Sequence, residues 1–430
     1  MPLSSPVRAI PSLRIAMLCI HSSPLGPLGT QDTGGMSVYV RELAKWLGYW
    51  GHRVDIFSYT GSQARTLELY PNVRLILLAP KDGKRISKAQ LPHQLDTVFD
   101  AIAGYCRQHK CVYDLIHSHY WLSGMVGAMA QARWRCPHIT MFHTLGLVKN
   151  NTGSGENESE ARIAHERWLA AVADAIIVPA VRERRHLLDL YRADPLKIRV
   201  IPCGVDLDLF QPGDRAAWRK QHGIAPDASV ALYVGRFAPL KGIETLLEAL
   251  ADLKSAWPRL HLLVVGGDGP DSEGARALVR KVRALGIQER ITFKGRIDQS
   301  ALPGYYSACD FLVVPSHYES FGLVILESLA CGTPVVTTPV GAVETIIRPG
   351  YNGTIIEKHG RGRLAQGIAQ FLRTSRSRPF SPHQVRATVL HYAWERIAAA
   401  MLEAYQELLT AHDASPPLVP TAAAANAYPN

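Results

Sequence analysis

Short apolar runs rich in β-branched residues alternate with longer stretches of helical spacing along nearly the whole chain. The runs are LRIAMLCI, RVDIFSY, VRLILL, DLIHSH, HITMFHT, AIIVPA and IRVIPCGV, then VALYVG, LHLLVVGG, ITFKG, DFLVVPS and PVVTT. They are continuous rather than alternating, which predicts strands buried on both faces, hence parallel sheets covered by helices. The expected fold class is α/β, with two doubly wound, Rossmann-like halves.

The rhythm breaks at IPCGVDLDLFQPGDRAAW, where Pro202, Gly204, Pro212 and Gly213 interrupt it before a new helix and strand begin. This predicts an N-terminal domain over residues 1–205 and a C-terminal domain over 206–390. Further on, Trp394, Ile397, Met401, Leu402 and Tyr405 have the spacing of one buried helix face, within a segment 391–412. Residues 413–430 are rich in Pro and Ala and have the composition of an unordered tail. Between Asn150 and Glu160, the stretch NNTGSGENESE is polar and Gly-rich, and reads as a mobile loop leading into a helix that carries Arg162.

Composition narrows the partners. A chain of 430 residues exceeds one ordinary core, in keeping with two domains. No run approaches the roughly 18 apolar residues of a membrane span, and MPLSSPVRAIPSLR lacks the apolar core of a signal peptide. The seven cysteines are scattered and form no C-x-x-C pair, a pattern that suits a reducing cytoplasm and argues against a disulfide scaffold or structural zinc site. A formal charge of +10 and a pI near 9.3 imply an anionic partner. No basic run with interleaved aromatics supports nucleic acid, and no amphipathic basic helix supports membrane attachment. Charge alone therefore leaves two partner classes open, phosphorylated small molecules and, without a supporting helix, a peripheral membrane surface, with nucleic acid the weakest of the three.

Candidate chemistry lies on the segments that follow strands. After the first strand, Gly34 and Gly35 open a helix whose buried stripe is Tyr39, Leu43, Leu47 and Trp50; glycines there let backbone N–H groups approach a phosphate. The spacing is not G-x-G-x-x-G, which argues against a dinucleotide dehydrogenase. In VGRFAPLKG, Arg236 and Lys241 sit on a strand-to-helix loop, where two cations can neutralise a diphosphate without a metal; taken alone, such a pair reads equally as solvated surface charge. The stretch ESFGLVILE sets Glu319 on a loop beyond FLVVPS and Glu327 inside an apolar helix, with Phe321 and Gly322 expected in its first turn and Gly332 ending it. Glu319 would face a polar ligand, the N–H groups of Phe321, Gly322 and Leu323 a phosphate, and Glu327 the vicinal hydroxyls of a ribose. The bland alternative is a cap and one satisfied core glutamate.

These motifs, GGMSVYV, VGRFAPLKG, ESFGLVILE followed by GTPVV, and YAWERIA, resemble the retaining glycosyltransferases of family GT4 over about residues 13 to 410. The resemblance implies the GT-B fold of two facing Rossmann-like domains, with a terminal helix crossing back to brace the N-terminal one. Within the family, HSSPLGPLGT, SKAQLPHQL, LIHSHYWLSG, FHTLGLVKN and SEAR look like the acceptor domain of the inositol-phosphate N-acetylglucosaminyltransferases of mycothiol synthesis. That likeness implies that Lys88, Tyr120, Thr144 and Arg162 hold an acceptor phosphate, that Arg296 lies beside the nucleotide base, and that Glu327 holds its ribose. It also suggests a UDP-sugar donor, no cofactor or metal, and no separate protein base, because the departing phosphate oxygen can take the acceptor proton. His143, in FHT at a strand end, would hold a hexose hydroxyl. Two departures stand out: Ser37 replaces an asparagine that touches the inositol ring, and the loop between Thr144 and Arg162 is slightly shorter. Sucrose-phosphate synthases share QDTGG and the paired glutamates, so fructose 6-phosphate is a competing acceptor. A nucleotide-sugar 2-epimerase would have no use for the phosphate clamp, and a non-catalytic sensor no use for both carboxylates and the cations.

Overall fold

The structure is a computed structural model, and it describes residues 11–26, 33–59, 64–80, 86–87, 89–153, 155, 157–267, 269 and 272–414. Among the described residues, the first sheet holds eight strands: β1 (Arg14–Leu18), β2 (Arg53–Ser58), β3 (Arg65–Tyr70), β4 (Val73–Leu77), β5 (Leu115–His119), β6 (His138–Met141), β7 (Ala175–Val178) and β8 (Ile198–Val200), in spatial order β3-β4-β2-β1-β5-β6-β7-β8. The second holds six: β9 (Ser229–Val234), β10 (Leu260–Val265), β11 (Ile291–Gly295), β12 (Phe311–Val314), β13 (Val335–Thr337) and β14 (Gly353–Ile355), in order β11-β10-β9-β12-β13-β14. Every pairing is parallel except β3 with β4, which run antiparallel.

The expected α/β class of two doubly wound halves holds, with one correction: the first sheet is mixed. Strand β3 alternates charged and apolar residues and is largely exposed, as an edge strand with one solvated face must be, so it lacked the continuous apolar signal. Each sheet reverses winding direction once, between β1 and β5 in the first and between β9 and β12 in the second. Ligands of such sheets bind beyond the carboxyl ends of strands at these reversals.

The terminal helix Trp394–Ala414 buries Trp394, Ile397, Met401, Leu402 and Tyr405, the face its sequence spacing marked. It packs on the helix Gly35–Tyr49, where Trp394 meets the Tyr39 ring edge-on at 5.5 Å. Residues 413 and 414 still belong to this helix, and the rest of the segment read as a tail lies outside the described residues. In the first sheet, the hydroxyl of Tyr405 and Nδ1 of His117 are 2.7 Å apart, both groups fully buried. Burial holds His117 neutral, pushing its pKa down to about 3. Its Nε2 has no partner among the described residues, so Tyr405 satisfies the ring's other nitrogen. Tyr405→Phe is therefore expected to cost about 1–3 kcal/mol, the penalty for orphaning a buried polar atom. A urea-denaturation midpoint equal to that of the parent chain would refute this.

Candidate active site

On the second sheet, the chain leaves β9 at the winding reversal and carries Arg236 and Lys241 onto the loop expected for them. The buried Tyr233 hydroxyl donates to the carbonyl of Arg236 at 2.8 Å and fixes the start of this loop. After the neighbouring β12, Glu319 accepts from the Lys241 ammonium at 2.6 Å and from the Ser316 hydroxyl at 2.8 Å. The two groups thus form a pair, and Lys241 is held in place by Glu319 rather than standing alone. Gly322 then adopts φ 100° and caps the helix Leu323–Ala330, a left-handed conformation that suits glycine. Phe321 and Gly322 therefore precede the helix instead of forming its first turn, a correction of one or two residues set by that conformation. One turn on, Glu327 is buried and accepts from the Tyr306 hydroxyl at 2.8 Å and from the Gln299 amide at 3.4 Å. Burial raises its pKa, with both hydrogen bonds opposing.

On the first sheet, the helix Gly35–Tyr49 begins directly after Gly34, so Gly35 lies within it; Trp50 follows its end and is only partly buried. A side chain at Gly35 would put its Cβ 3.3 Å from Leu323. The first turns of two helices, one from each half, thus meet at the cleft that both line, and helix starts suit the phosphates of a diphosphate.

The opposite wall is built on Arg162, which is only 3 % exposed. Its guanidinium donates to the Tyr120 hydroxyl at 3.0 Å, to the Thr144 carbonyl and hydroxyl at 3.0 Å each, and to Glu166 at 2.7 Å, and it pairs with Glu158 at 2.8 Å. Tyr120 (φ 75°) and His143 (φ 59°) hold left-handed backbone without being glycine. Such strain concentrates at functional sites. Nε2 of His143 lies 3.0 Å from Nδ1 of His119, and burial pushes the His143 pKa down to about 3. A neutral imidazole here can hold a sugar hydroxyl without adding charge.

These groups line one cleft of about 510 Å³ between the carboxyl ends of the two sheets. Of the residues singled out in the sequence, Gly34, Gly35, Tyr120, His143, Thr144, Arg162, Arg236, Lys241, Arg296, Glu319, Phe321, Gly322, Leu323 and Glu327 line it. Ser37 does not: it is fully buried, outside the lining, with its hydroxyl 3.4 Å from that of Ser22. Lys88 lies outside the described residues. Sequence reasoning missed Lys149, Glu158, Gln299 and Tyr318, which also line the cleft, and Glu166 and Tyr306 behind it. The i, i+4 ladder Glu158, Arg162, Glu166 was visible in the sequence. Gln299 and Tyr318 carry no local signal, because each matters through a contact across the halves: Arg41 donates to Gln299 at 2.8 Å, and the Leu145 N–H to the Tyr318 hydroxyl at 3.2 Å. Among the described residues, no cluster of three His, Cys, Asp or Glu is placed to hold a metal.

Comparison with known proteins agrees with this layout. Residues 33–209 match the Glycosyltransferase Family 4 model and residues 214–380 the Glycosyl transferases group 1 model. A D-inositol 3-phosphate glycosyltransferase 2 of Catenulispora acidiphila is 40 % identical, with 91 % of this chain and 94 % of that one covered. A D-inositol 3-phosphate glycosyltransferase of Mycobacterium leprae is 38 % identical, covering 91 % and 93 %. Among solved structures, a sucrose-phosphate synthase from Thermosynechococcus elongatus superposes with a TM-score of 0.85 at 33 % identity, covering 93 % of this chain and all of that one. The facing α/β halves, the shared cleft and the extent of these matches show that this chain belongs to the family 4 glycosyltransferases and carries their GT-B fold.

Proposed function

We propose that the enzyme moves a hexosyl or N-acetylhexosaminyl group, with retention, from a UDP-sugar to a phosphorylated polyol of the inositol-phosphate kind. The observation that carries this reading is the convergence of Arg162, Tyr120 and Thr144 on the cleft wall opposite the paired helix starts. One side of the cleft suits a sugar diphosphate, and the other suits an anionic acceptor. In the transfer step the acceptor oxygen bonds to the anomeric carbon as the bond from that carbon to the diphosphate oxygen breaks. The acceptor proton passes to the departing phosphate. Arg236, Lys241 and the N–H groups at Gly35 and Leu323 would stabilise the charge that develops there. Glu319 orients the Lys241 ammonium, Glu327 would hold the ribose, and Arg296 would lie beside the base. Neutral His143 would hold a hexose hydroxyl. Closure between the halves would limit hydrolysis by excluding water.

The likeness to a sucrose-phosphate synthase favours a second reading, transfer of glucose to fructose 6-phosphate. Both are tested by one screen of UDP- and GDP-sugars against inositol phosphate, fructose 6-phosphate and glycerol phosphates, with unphosphorylated inositol as control. Donor turnover is expected only with a phosphorylated acceptor, and NMR of the product should show an axial anomeric bond from an α-linked donor. An equatorial product would sink retention, and equal turnover with plain inositol would sink the phosphate site. Conversion of the donor sugar to its 2-epimer without any acceptor would point to an epimerase instead.

A further inference from the structure

The cations of the acceptor wall are already paired, and unequally. Glu166 has no exposed surface and is bound on all sides: it accepts from Arg162 at 2.7 Å, from the Gly146 N–H at 2.9 Å and from the Tyr191 hydroxyl at 2.7 Å. That carboxylate is a fixed counter-ion.

Glu158 differs. Its side chain is 23 % exposed and lines the cleft, where one carboxylate oxygen lies against both Arg162 and Lys149. It faces the same guanidinium edge that reaches Tyr120. Two cations around one anionic oxygen make the environment a phosphate oxygen would need. The backbone beneath is pinned on both sides: the Glu158 N–H donates to Asn150 Oδ1 at 2.7 Å, and Asn150 Nδ2 donates to the Glu158 carbonyl at 3.0 Å. The side chain can therefore rotate toward solvent while the loop stays in place. Although burial opposes ionisation, Arg162 and Lys149 hold the Glu158 carboxyl below its ordinary value, so it carries its charge at neutral pH.

We propose that the Glu158 carboxylate is an internal stand-in for the acceptor phosphate, occupying the cradle of Arg162 and Lys149 and yielding it when the acceptor arrives. The inference rests on the reading of Tyr120, Thr144 and Arg162 as the phosphate site. Its consequence is a threshold: an incoming anion must outcompete a tethered carboxylate. An acceptor that adds polyol contacts to its phosphate can do so, whereas free inorganic phosphate is held off and does not block the site. Glu158 is thus a specificity-determining residue.

The test is calorimetric titration of inorganic phosphate into the full-length protein and its Glu158→Gln, Glu158→Ala and Arg162→Lys variants. Both Glu158 variants remove the competing charge from a partly exposed side chain, and each is expected to bind phosphate about tenfold more tightly, the effect of freeing a charged hydrogen-bonding site. Arg162→Lys keeps a cation beside Glu166 but loses the planar fork, and should bind more weakly. Equal or weaker binding in both Glu158 variants, with Arg162→Lys still impaired, would overturn the stand-in role alone and make Glu158 a strut. Binding undiminished in Arg162→Lys, or absent from every protein tested, would remove the phosphate-site reading and this proposal with it.

Discussion

Arg162→Met is expected to destabilise the fold by about 3–5 kcal/mol and to abolish transfer to phosphorylated acceptors. The size follows from what the guanidinium neutralises. Glu166 sits with no exposed surface, and its nearest cation is Arg162 at 2.7 Å. Removing one member of a buried pair leaves the other charge desolvated and unpaired, which costs far more than the pair's net worth. Methionine fills similar volume, so packing loss is a small part of the effect. The double variant Arg162→Met with Glu166→Gln separates the two roles: it should recover most of the lost stability, read from urea-denaturation midpoints, but none of the transfer. If the single variant were as stable as the parent, Glu166 would have to be compensated elsewhere. If the double variant turned over phosphorylated acceptors at the parental rate, Arg162 would have no place in the acceptor site.

Much of this architecture is legible in the sequence because burial on both faces of a parallel sheet writes itself as unbroken apolar runs. Strands such as Val335–Thr337 were readable for that reason despite their length. The exposed edge strand Arg65–Tyr70 and the strand Gly353–Ile355 were not, one being half polar and the other only partly buried, with a single strongly apolar residue in GTI. The side proposed to hold the donor was legible for a related reason. Arg236, Lys241, Glu319 and Gly322 stand where charge and glycine punctuate apolar runs at strand ends, and strand ends are where such sheets bind ligands. The side proposed to hold the acceptor was less so. Resemblance supplied Tyr120, Thr144 and Arg162, but the positive φ of Tyr120 and the burial of Glu166 depend on the tertiary fold. Least legible are residues that act across the two halves, since no local pattern records which surfaces will meet. Arg41 and Gln299 are one such pair. Glu183 and Ser320 are another.

That last pair carries an expected pH dependence that falls between pH 4.5 and 7. Glu183, on the helix Val181–Tyr191 of the N-terminal half, is 3 % exposed and accepts from the Ser320 hydroxyl at 2.5 Å, on the loop that also carries Glu319. Its second carboxylate oxygen has no partner among the described residues. Burial pushes its pKa up from 4.5 to about 7; the Ser320 hydrogen bond works against this, and the charge of Glu166 adds to it. Folding thus binds this proton more tightly than the unfolded chain does. The stabilisation is complete below pH 4.5 and declines as pH rises toward 7, because the ionised carboxylate must then stay in the seam. At about 1.4 kcal/mol per pH step over that interval, the loss reaches about 3 kcal/mol. Glu183→Gln cannot ionise, so this part of the pH dependence should vanish, leaving the variant more stable than the parent at pH 8 and not at pH 4.5. Parting the halves would hydrate Glu183 and relieve the same penalty. The radius of gyration from solution scattering should therefore grow between pH 6 and 8.5 in the parent and stay flat in the variant. Superimposable stability profiles for the two proteins across this range would show that the seam does not hold the carboxyl as a neutral acid.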